Sequence, residues 1–125
     1  MRIGIVNDSS IAAELLRRLI RTSEAHQIAW IARDGAEAVK LCERDLPELV
    51  LMDLIMPYMD GAEATRCIMN RTPCPILIVT ASVRGNAAKV FEALGAGAID
   101  AIDTPTVIGS QKTGGALLLK LQGIE

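Results

Sequence analysis

Hydrophobic residues in this chain fall into short continuous runs that alternate with longer segments of helical periodicity. The runs lie at residues 2–7, 27–32, 49–52, 76–80 and 98–102. Each run is followed by a polar or turn-forming residue, as expected at the end of a strand. Continuous apolar runs of this length are typical of strands that are buried on both faces of a parallel sheet.

The intervening segments place apolar residues three or four positions apart, which predicts amphipathic helices. We expect the first helix to start at Ser9 or Ser10 and the fourth to be capped by Ser82. The other helices are expected at about 36–44, 61–69 and 114–123, with Asp60 capping the third.

Strand and helix patterns therefore alternate five times along the chain. Strands separated by helices of this length pair in parallel through right-handed crossovers. The sequence predicts an α/β fold of the flavodoxin-like type. Its five-stranded parallel sheet has the order 2-1-3-4-5, with helices on both faces.

Composition narrows the function classes. The 125 residues suit one domain, and half are hydrophobic but only 2% aromatic, so aliphatic side chains must form the core. A net charge of −2 without a basic stripe argues against nucleic acid as a partner. No run is long enough to span a membrane, and none resembles a signal peptide. The three cysteines, an odd number without C-x-x-C spacing, are expected to be reduced thiols of a cytoplasmic protein: Cys42, Cys67 and Cys74.

Several single residues have ordinary structural interpretations. His26 is expected at the surface, and Trp30 and Phe91 in the core. Leucines at 117–119 and 121 cannot all face one sheet, because neighbours on a helix lie about 100° apart. We therefore expect part of this helix to contact a partner domain or a second copy.

Polar side chains follow the strands at the edge where open α/β sheets keep their chemistry. They are Asn7, Asp8, Asp53, Thr80 and Thr104. Two carboxylates one strand apart raise each other's proton affinity unless a cation joins them. Mg²⁺ accepts one or two carboxylates with a carbonyl, waters and phosphate oxygens. With such an ion, Asp53 can act as a nucleophile toward a phosphoryl group, although a lone Asp here also fits a turn or helix cap.

The chain resembles the receiver domains of two-component response regulators over residues 1–105. The order and spacing of four motifs carry the resemblance: VNDSS (6–10), LVLMDLIMPYMDG (49–61), ILIVTAS (76–82) and GAIDAIDTP (97–105). It implies a CheY-like fold with a phosphoacceptor and a magnesium site, and a histidine kinase as partner.

The resemblance also implies a role for each matching residue. Asp53 corresponds to the phosphoacceptor and Asp8 to the acidic metal ligand. Ile55 corresponds to the residue whose backbone carbonyl completes the Mg²⁺ shell. Thr80 corresponds to the hydroxyl residue that turns toward the phosphoryl group, and Ala81 to the small residue beside it.

Four positions depart from the family pattern or need comment. Asn7 replaces the usual second acid, so it is expected to hold Mg²⁺ only through water. Thr104 replaces the usual lysine, which should slow phosphorylation unless Arg84 or Lys112 substitutes. Ala101 replaces an aromatic switch residue. The Thr104–Pro105 bond corresponds to one that is cis in the family.

Within the family, the sequence is most similar to the N-terminal regulatory domains of chemotaxis-type protein-glutamate methylesterases, of the CheB and WspF kind. This implies that residues 1–105 form the receiver core and that 106–125 form a loop, a last helix and the start of a linker. If the parent is such an enzyme, we expect this chain to be its regulatory fragment, with the C-terminal esterase domain missing and no esterase site of its own. Partners implied are that domain, the kinase and the methyl-accepting receptor complex.

Two other functions are compatible with the fold. A pseudo-receiver that never carries phosphate would act only as a protein-interaction module, as Asn7 and Thr104 suggest. A small enzyme or flavin carrier is disfavoured because the turn after the first strand, Asn-Asp-Ser-Ser, is too acidic and too poor in glycine to bind a phosphate.

Overall fold

The computed structural model describes residues 1–105 and 110–124, with side chains of the last helix described from Gly115 onward. Within these residues five strands alternate with five helices. They are β1 (Arg2–Val6), α1 (Ser10–Arg21), β2 (Gln27–Ala32), α2 (Gly35–Arg44), β3 (Leu49–Met52), α3 (Gly61–Arg71), β4 (Ile76–Thr80), α4 (Ala87–Ala96), β5 (Asp100–Asp103) and α5 (Ser110–Ile124).

The five strands form one sheet in the order β2-β1-β3-β4-β5, and every neighbouring pair is parallel. This arrangement confirms the predicted fold class and strand order. The central strand β3 is completely buried. Its continuous apolar sequence is explained by helices that cover both faces of the sheet.

The core consists of two layers, one on each face of the sheet. One layer contains α2, α3 and α4 and includes Val50 and Met52 of β3. The other contains α1 and α5 and includes Leu49 and Leu51. Successive side chains of a strand point to opposite faces, so the four residues of β3 contribute equally to the two layers.

Side chains cap the first three helices. Ser9 caps α1, Asp34 caps α2 and Asp60 caps α3, each accepting a hydrogen bond from a main-chain N–H of the first turn. The predicted cap by Asp60 is confirmed, with 2.9 Å between its Oδ1 and the nitrogen of Glu63. Such caps satisfy main-chain donors that have no partner inside the helix.

The predicted start of α4 was wrong. Ser82 lies in the preceding loop, where its hydroxyl accepts a hydrogen bond from Gly85 at 2.9 Å. The N-cap residue is Asn86, and its side chain makes no hydrogen bond to the helix. Serine and asparagine are both good cap residues, so the sequence does not reveal which one ends the loop.

Two further residues lie elsewhere than predicted. Phe91 is 72% exposed, because Val90 and Ala93 form the buried stripe of α4. His26 is buried, with its Nδ1 3.3 Å from the amino group of Met1. That contact joins residues 25 positions apart, and local sequence gives no sign of it.

Trp30 and the cysteines largely follow the predictions. Trp30 is half-buried and packs against the core, while its indole N–H donates to the carbonyl of Asp45 at 2.9 Å. Cys42 and Cys74 are buried, Cys67 is partly exposed, and all three are free thiols.

The leucines of α5 point in different directions, as helix geometry requires. Leu117 and Leu121 are fully buried, whereas Leu119 is 69% exposed. Deep burial therefore accounts for two of them. A partner at Leu119 stays a prediction.

Candidate functional site

Asp53 lies directly beyond the central strand and is half-buried. Its main-chain N–H donates to the carbonyl of Val6 at 2.9 Å, which fixes the residue against β1. Burial, followed by interaction with the facing carboxyl group of Asp8, raises the pKa of Asp53 to about 7. Main-chain N–H groups of Leu54 and Ile55 only partly oppose this rise.

Asn7 and Asp8 follow β1, the strand beside β3. Asn7 is almost completely buried, and its side-chain oxygen accepts a hydrogen bond from the main chain of Ser9 at 2.9 Å. Asp8 is exposed, and its side chain interacts with that of Asp53. The structure thus brings together the two carboxyl groups that the sequence placed at this edge.

These residues suit a hard divalent cation better than a soft one. In residues 1–105 and 110–124, no group of three or more His, Cys, Asp or Glu side chains could hold a metal. Mg²⁺ does not need such a group, because it binds proteins through one or two carboxylates and keeps several waters. Burial and the facing carboxyl group of Asp8 both raise the pKa of Asp53, and a cation between the two carboxylates would offset their repulsion. Asp8 and Asp53 therefore fit Mg²⁺.

The chain beyond Asp53 folds back over that residue. Ile55 has an exposed apolar side chain, and its main-chain N–H interacts with the carboxylate of Asp53. Gly61 donates its N–H to the carbonyl of Leu54 at 2.8 Å. A Cβ atom on Gly61 would lie 2.3 Å from the carbonyl oxygen of Asp53. Only glycine permits this approach, and the Asp-Gly pair at 60–61 is the sequence signal for it.

Between these points the loop makes a tight turn. Met59 donates its N–H to the carbonyl of Pro57 at 2.8 Å, and Tyr58, between them, has φ of 67°. A left-handed conformation is unfavourable for a tyrosine, and such strain often occurs beside functional sites. The side chain of Tyr58 is fully exposed.

Thr80 ends β4, the neighbour of β3 on the other side, and is only 1% exposed. Its hydroxyl oxygen accepts a hydrogen bond from the side-chain amide of Asn86 at 3.3 Å. Its carbonyl accepts from the main chain of Thr104 at 2.7 Å. Ala81, the next residue, is exposed. Sequence reasoning missed Asn86, whose contact with Thr80 depends on the shape of the intervening loop.

The position of the usual family lysine is occupied by Thr104, which is partly exposed. Arg84 is exposed, and the side chain of Lys112 lies outside the described residues. A different cation, Lys89, reaches the edge from α4 and binds the Asp60 carboxylate at 2.8 Å. The sequence separation of 29 residues hid this pair from sequence reasoning.

The expected cis bond before Pro105 is not present. No peptide bond is cis within the described residues, which include both Thr104 and Pro105, so this bond is trans. Trans is the lower-energy form of an X-Pro bond by roughly 0.5–1 kcal/mol. Pro105 itself is buried.

Comparison with known proteins identifies the family. Residues 3–108 match the response regulator receiver domain. The chain belongs to this family. A solved receiver structure, the response regulator domain of Thermotoga maritima CheB, superposes with a TM-score of 0.90 at 29% identity. That comparison covers 99% of this chain and 95% of the other.

Two relatives are enzymes named protein-glutamate methylesterase/protein-glutamine glutaminase. The protein from Mesorhizobium japonicum is 63% identical over 107 residues, which are 86% of this chain and 32% of the relative. The Pseudomonas aeruginosa protein that carries this name with the number 3 is 54% identical over 126 aligned positions, covering 99% of this receiver and 38% of the relative. The receiver thus spans about a third of the length of these relatives. None of its described helices is long and apolar enough to cross a membrane.

Proposed function

We propose that this receiver accepts a phosphoryl group on Asp53 from a histidine kinase and thereby regulates a C-terminal methylesterase domain of the CheB type. The observation that supports this best is the pair of facing carboxyl groups at the end of the central strand. Such an arrangement is costly unless a cation or a reaction uses it.

Asp53 is the nucleophile in the proposed transfer. A bond forms between its carboxylate oxygen and phosphorus while the N–P bond of a phosphohistidine breaks. The electron pair of that bond stays on the imidazole nitrogen, which takes up a proton. The product on this chain is an acyl phosphate.

Asp8, Asp53 and the backbone carbonyl of Ile55 would hold Mg²⁺, with Asn7 acting through a bound water. When bound, the ion offsets negative charge on the carboxylates and the phosphoryl oxygens. Asn7 is already fixed by Ser9, but an amide oxygen has a second lone pair that can accept from water.

Thr80 is the proposed donor to a phosphoryl oxygen, and the small side chain of Ala81 leaves that oxygen accessible. Thr104 carries no charge to replace the usual lysine. We therefore propose that phosphorylation is slower than in receivers that have this lysine, because one positive charge near the phosphoryl group is missing.

The parent protein is proposed to be a cytoplasmic protein-glutamate methylesterase. The names of the relatives support this, and the remaining two thirds of their length leave room for a catalytic domain. Its substrates would be methyl-accepting receptors, and the kinase of the same pathway would supply phosphate. The site does not favour the alternative hypothesis of a pseudo-receiver, because the carboxyl groups of Asp8 and Asp53 face each other as phosphorylation would require.

Labelling with a small acyl phosphate tests the proposal. We expect Mg²⁺-dependent covalent phosphorylation of the wild type, measured by intact-mass spectrometry, and none in Asp53→Asn. The matched control is Asp34→Asn, which changes a carboxylate beyond the edge strand β2 but keeps an oxygen to cap α2. Equal labelling of the Asp53 variant, or labelling without divalent cation, would contradict the proposal.

A further inference from the structure

Asn86 occupies the N-cap position of α4 but does not cap the helix. Asparagine is among the preferred cap residues, and α1, α2 and α3 all have a side-chain cap. The amide of Asn86 instead points back into the loop. It donates to the carbonyl of Ser82 at 3.0 Å and to the hydroxyl of Thr80 at 3.3 Å.

This contact matters for Thr80 because the hydroxyl is buried. A buried hydroxyl needs a hydrogen-bond partner. The amide of Asn86 donates to one lone pair of the Thr80 oxygen, and the hydroxyl proton is left for another acceptor. A hydroxyl that turns toward a phosphoryl group on Asp53 has to move its oxygen relative to Asn86.

The same residue also starts the helix. The carbonyl of Asn86 accepts the first helical hydrogen bond, from Val90 at 2.9 Å. The first turn of α4 contains no acidic residue, whose negative charge would interact favourably with the positive end of the helix dipole. It carries Lys89, whose ammonium group is bound to Asp60 on the far side of the site. Tertiary contacts therefore hold this end of α4 in place of a local cap.

We propose that Asn86 is a positioning residue that holds the Thr80 hydroxyl in the unphosphorylated state and transmits its movement to the first turn of α4. The proposal rests on the function proposed above for Thr80 and Asp53. When Thr80 turns toward the phosphoryl group, its bond to Asn86 breaks, and the start of α4 loses one of its contacts. Ala101 on the adjacent strand β5 has only a methyl group, so no large side chain at that position carries the movement.

A double-mutant cycle with beryllofluoride and Mg²⁺ tests this coupling, with binding followed by amide resonances. We expect Asn86→Ala to bind beryllofluoride about three- to tenfold more tightly, because one hydrogen bond no longer has to be broken. In a Thr80→Ala background the same substitution should have no further effect. Asn70→Ala, at an exposed position of α3, is the matched control and should leave affinity unchanged.

Hydrogen exchange provides a readout besides affinity. In the wild type, beryllofluoride should speed exchange of the amide of Val90, the first with a main-chain partner in the helix, and in Asn86→Ala exchange there should already be fast. If Asn86→Ala does not fold, Asn86→Ser keeps a good cap residue while removing the amide donor. The same results are expected for it.

The outcomes separate the two proposals. A wild type that does not respond to beryllofluoride overturns both of them. The role of Asn86 alone is overturned if the wild type responds but Asn86→Ala has no effect on affinity. It is also overturned if Asn86→Ala changes affinity equally in the wild-type and Thr80→Ala backgrounds. Unchanged exchange at α4 overturns the transmission to the helix.

Discussion

Two segments at the same edge of the sheet are built in different ways. The segment from Asp53 to Gly61 is fixed mainly through main-chain contacts, including those to Val6 and Leu54. The segment from Thr80 to Ala87 depends largely on side chains, such as the carboxylate of Asp103, which accepts from Val83 at 2.8 Å. Main-chain contacts hold a charged group in one place, whereas side-chain contacts can be exchanged. This difference supports the proposal that the first segment fixes the site and that the second responds to phosphorylation.

The largest expected effect comes from Gly61→Ala in the segment from Asp53 to Gly61, which we call the fixed segment. The added methyl group would overlap the Asp53 carbonyl, and moving that main chain should lower the free energy of unfolding by at least about 2 kcal/mol. Urea denaturation measures the loss, and labelling of Asp53 should fall with it. Gly95→Ala in α4 is the control, because a Cβ there meets nothing within 4 Å. It should be neutral or slightly stabilising. Equal effects of the two substitutions would refute the close approach.

The pH dependence of Mg²⁺ binding gives the next largest effect. The pKa of Asp53 is about 7 in the metal-free protein. Protons therefore compete with the metal, and the affinity for Mg²⁺ should fall about tenfold between pH 8 and pH 6. Titration calorimetry at the two pH values measures the change. A pH-independent affinity would show that Asp8 and Asp53 do not hold the ion.

The same pKa predicts how stability depends on pH without metal. Because the pKa is raised in the folded state, protonation of Asp53 stabilises the fold. That stabilisation is present below the unfolded value of about 4 and is lost as the pH rises through 7. Asp53→Asn should therefore be more stable than the wild type at pH 8, and the difference should shrink toward pH 5. Urea denaturation measures the difference, and Asn70→Ala, which removes no ionisable group at an exposed position of α3, should show no such trend.

The smallest expected effect separates the two functions of Asp60. Asp60→Ala removes the cap of α3 and should cost about 1 kcal/mol of unfolding free energy. Lys89→Ala removes only an exposed ion pair, so its effect on stability should be clearly smaller. Thermal denaturation of both variants measures the difference. Comparable losses would mean that the contact with α4, and not the cap, stabilises the fixed segment.

The fold was readable from the sequence because its signals are local. Apolar runs such as the one at 49–52 are buried strands, and Asp60 with Gly61 marks the start of a helix. Parallel strands separated by helices have few possible orders, so the positions of Asp8 and Asp53 at one edge followed from the topology.

The details that escaped prediction depend on contacts between distant residues. His26 is buried beside the amino terminus, and Lys89 binds Asp60 across the site. Phe91 is exposed because α4 turns a narrower stripe toward the sheet than its apolar residues suggest. Asn86 and Ser82 are equally plausible caps until the path of the loop is known.

The division of the core into two layers has a consequence for how movement spreads. α4 packs in one layer, while α1 and α5 share the other. A shift at the start of α4 would therefore reach α3 first, because α4 packs against α3, whereas α1 and α5 lie across the sheet from it. One half of the molecule can act as a stationary frame while the other half changes shape.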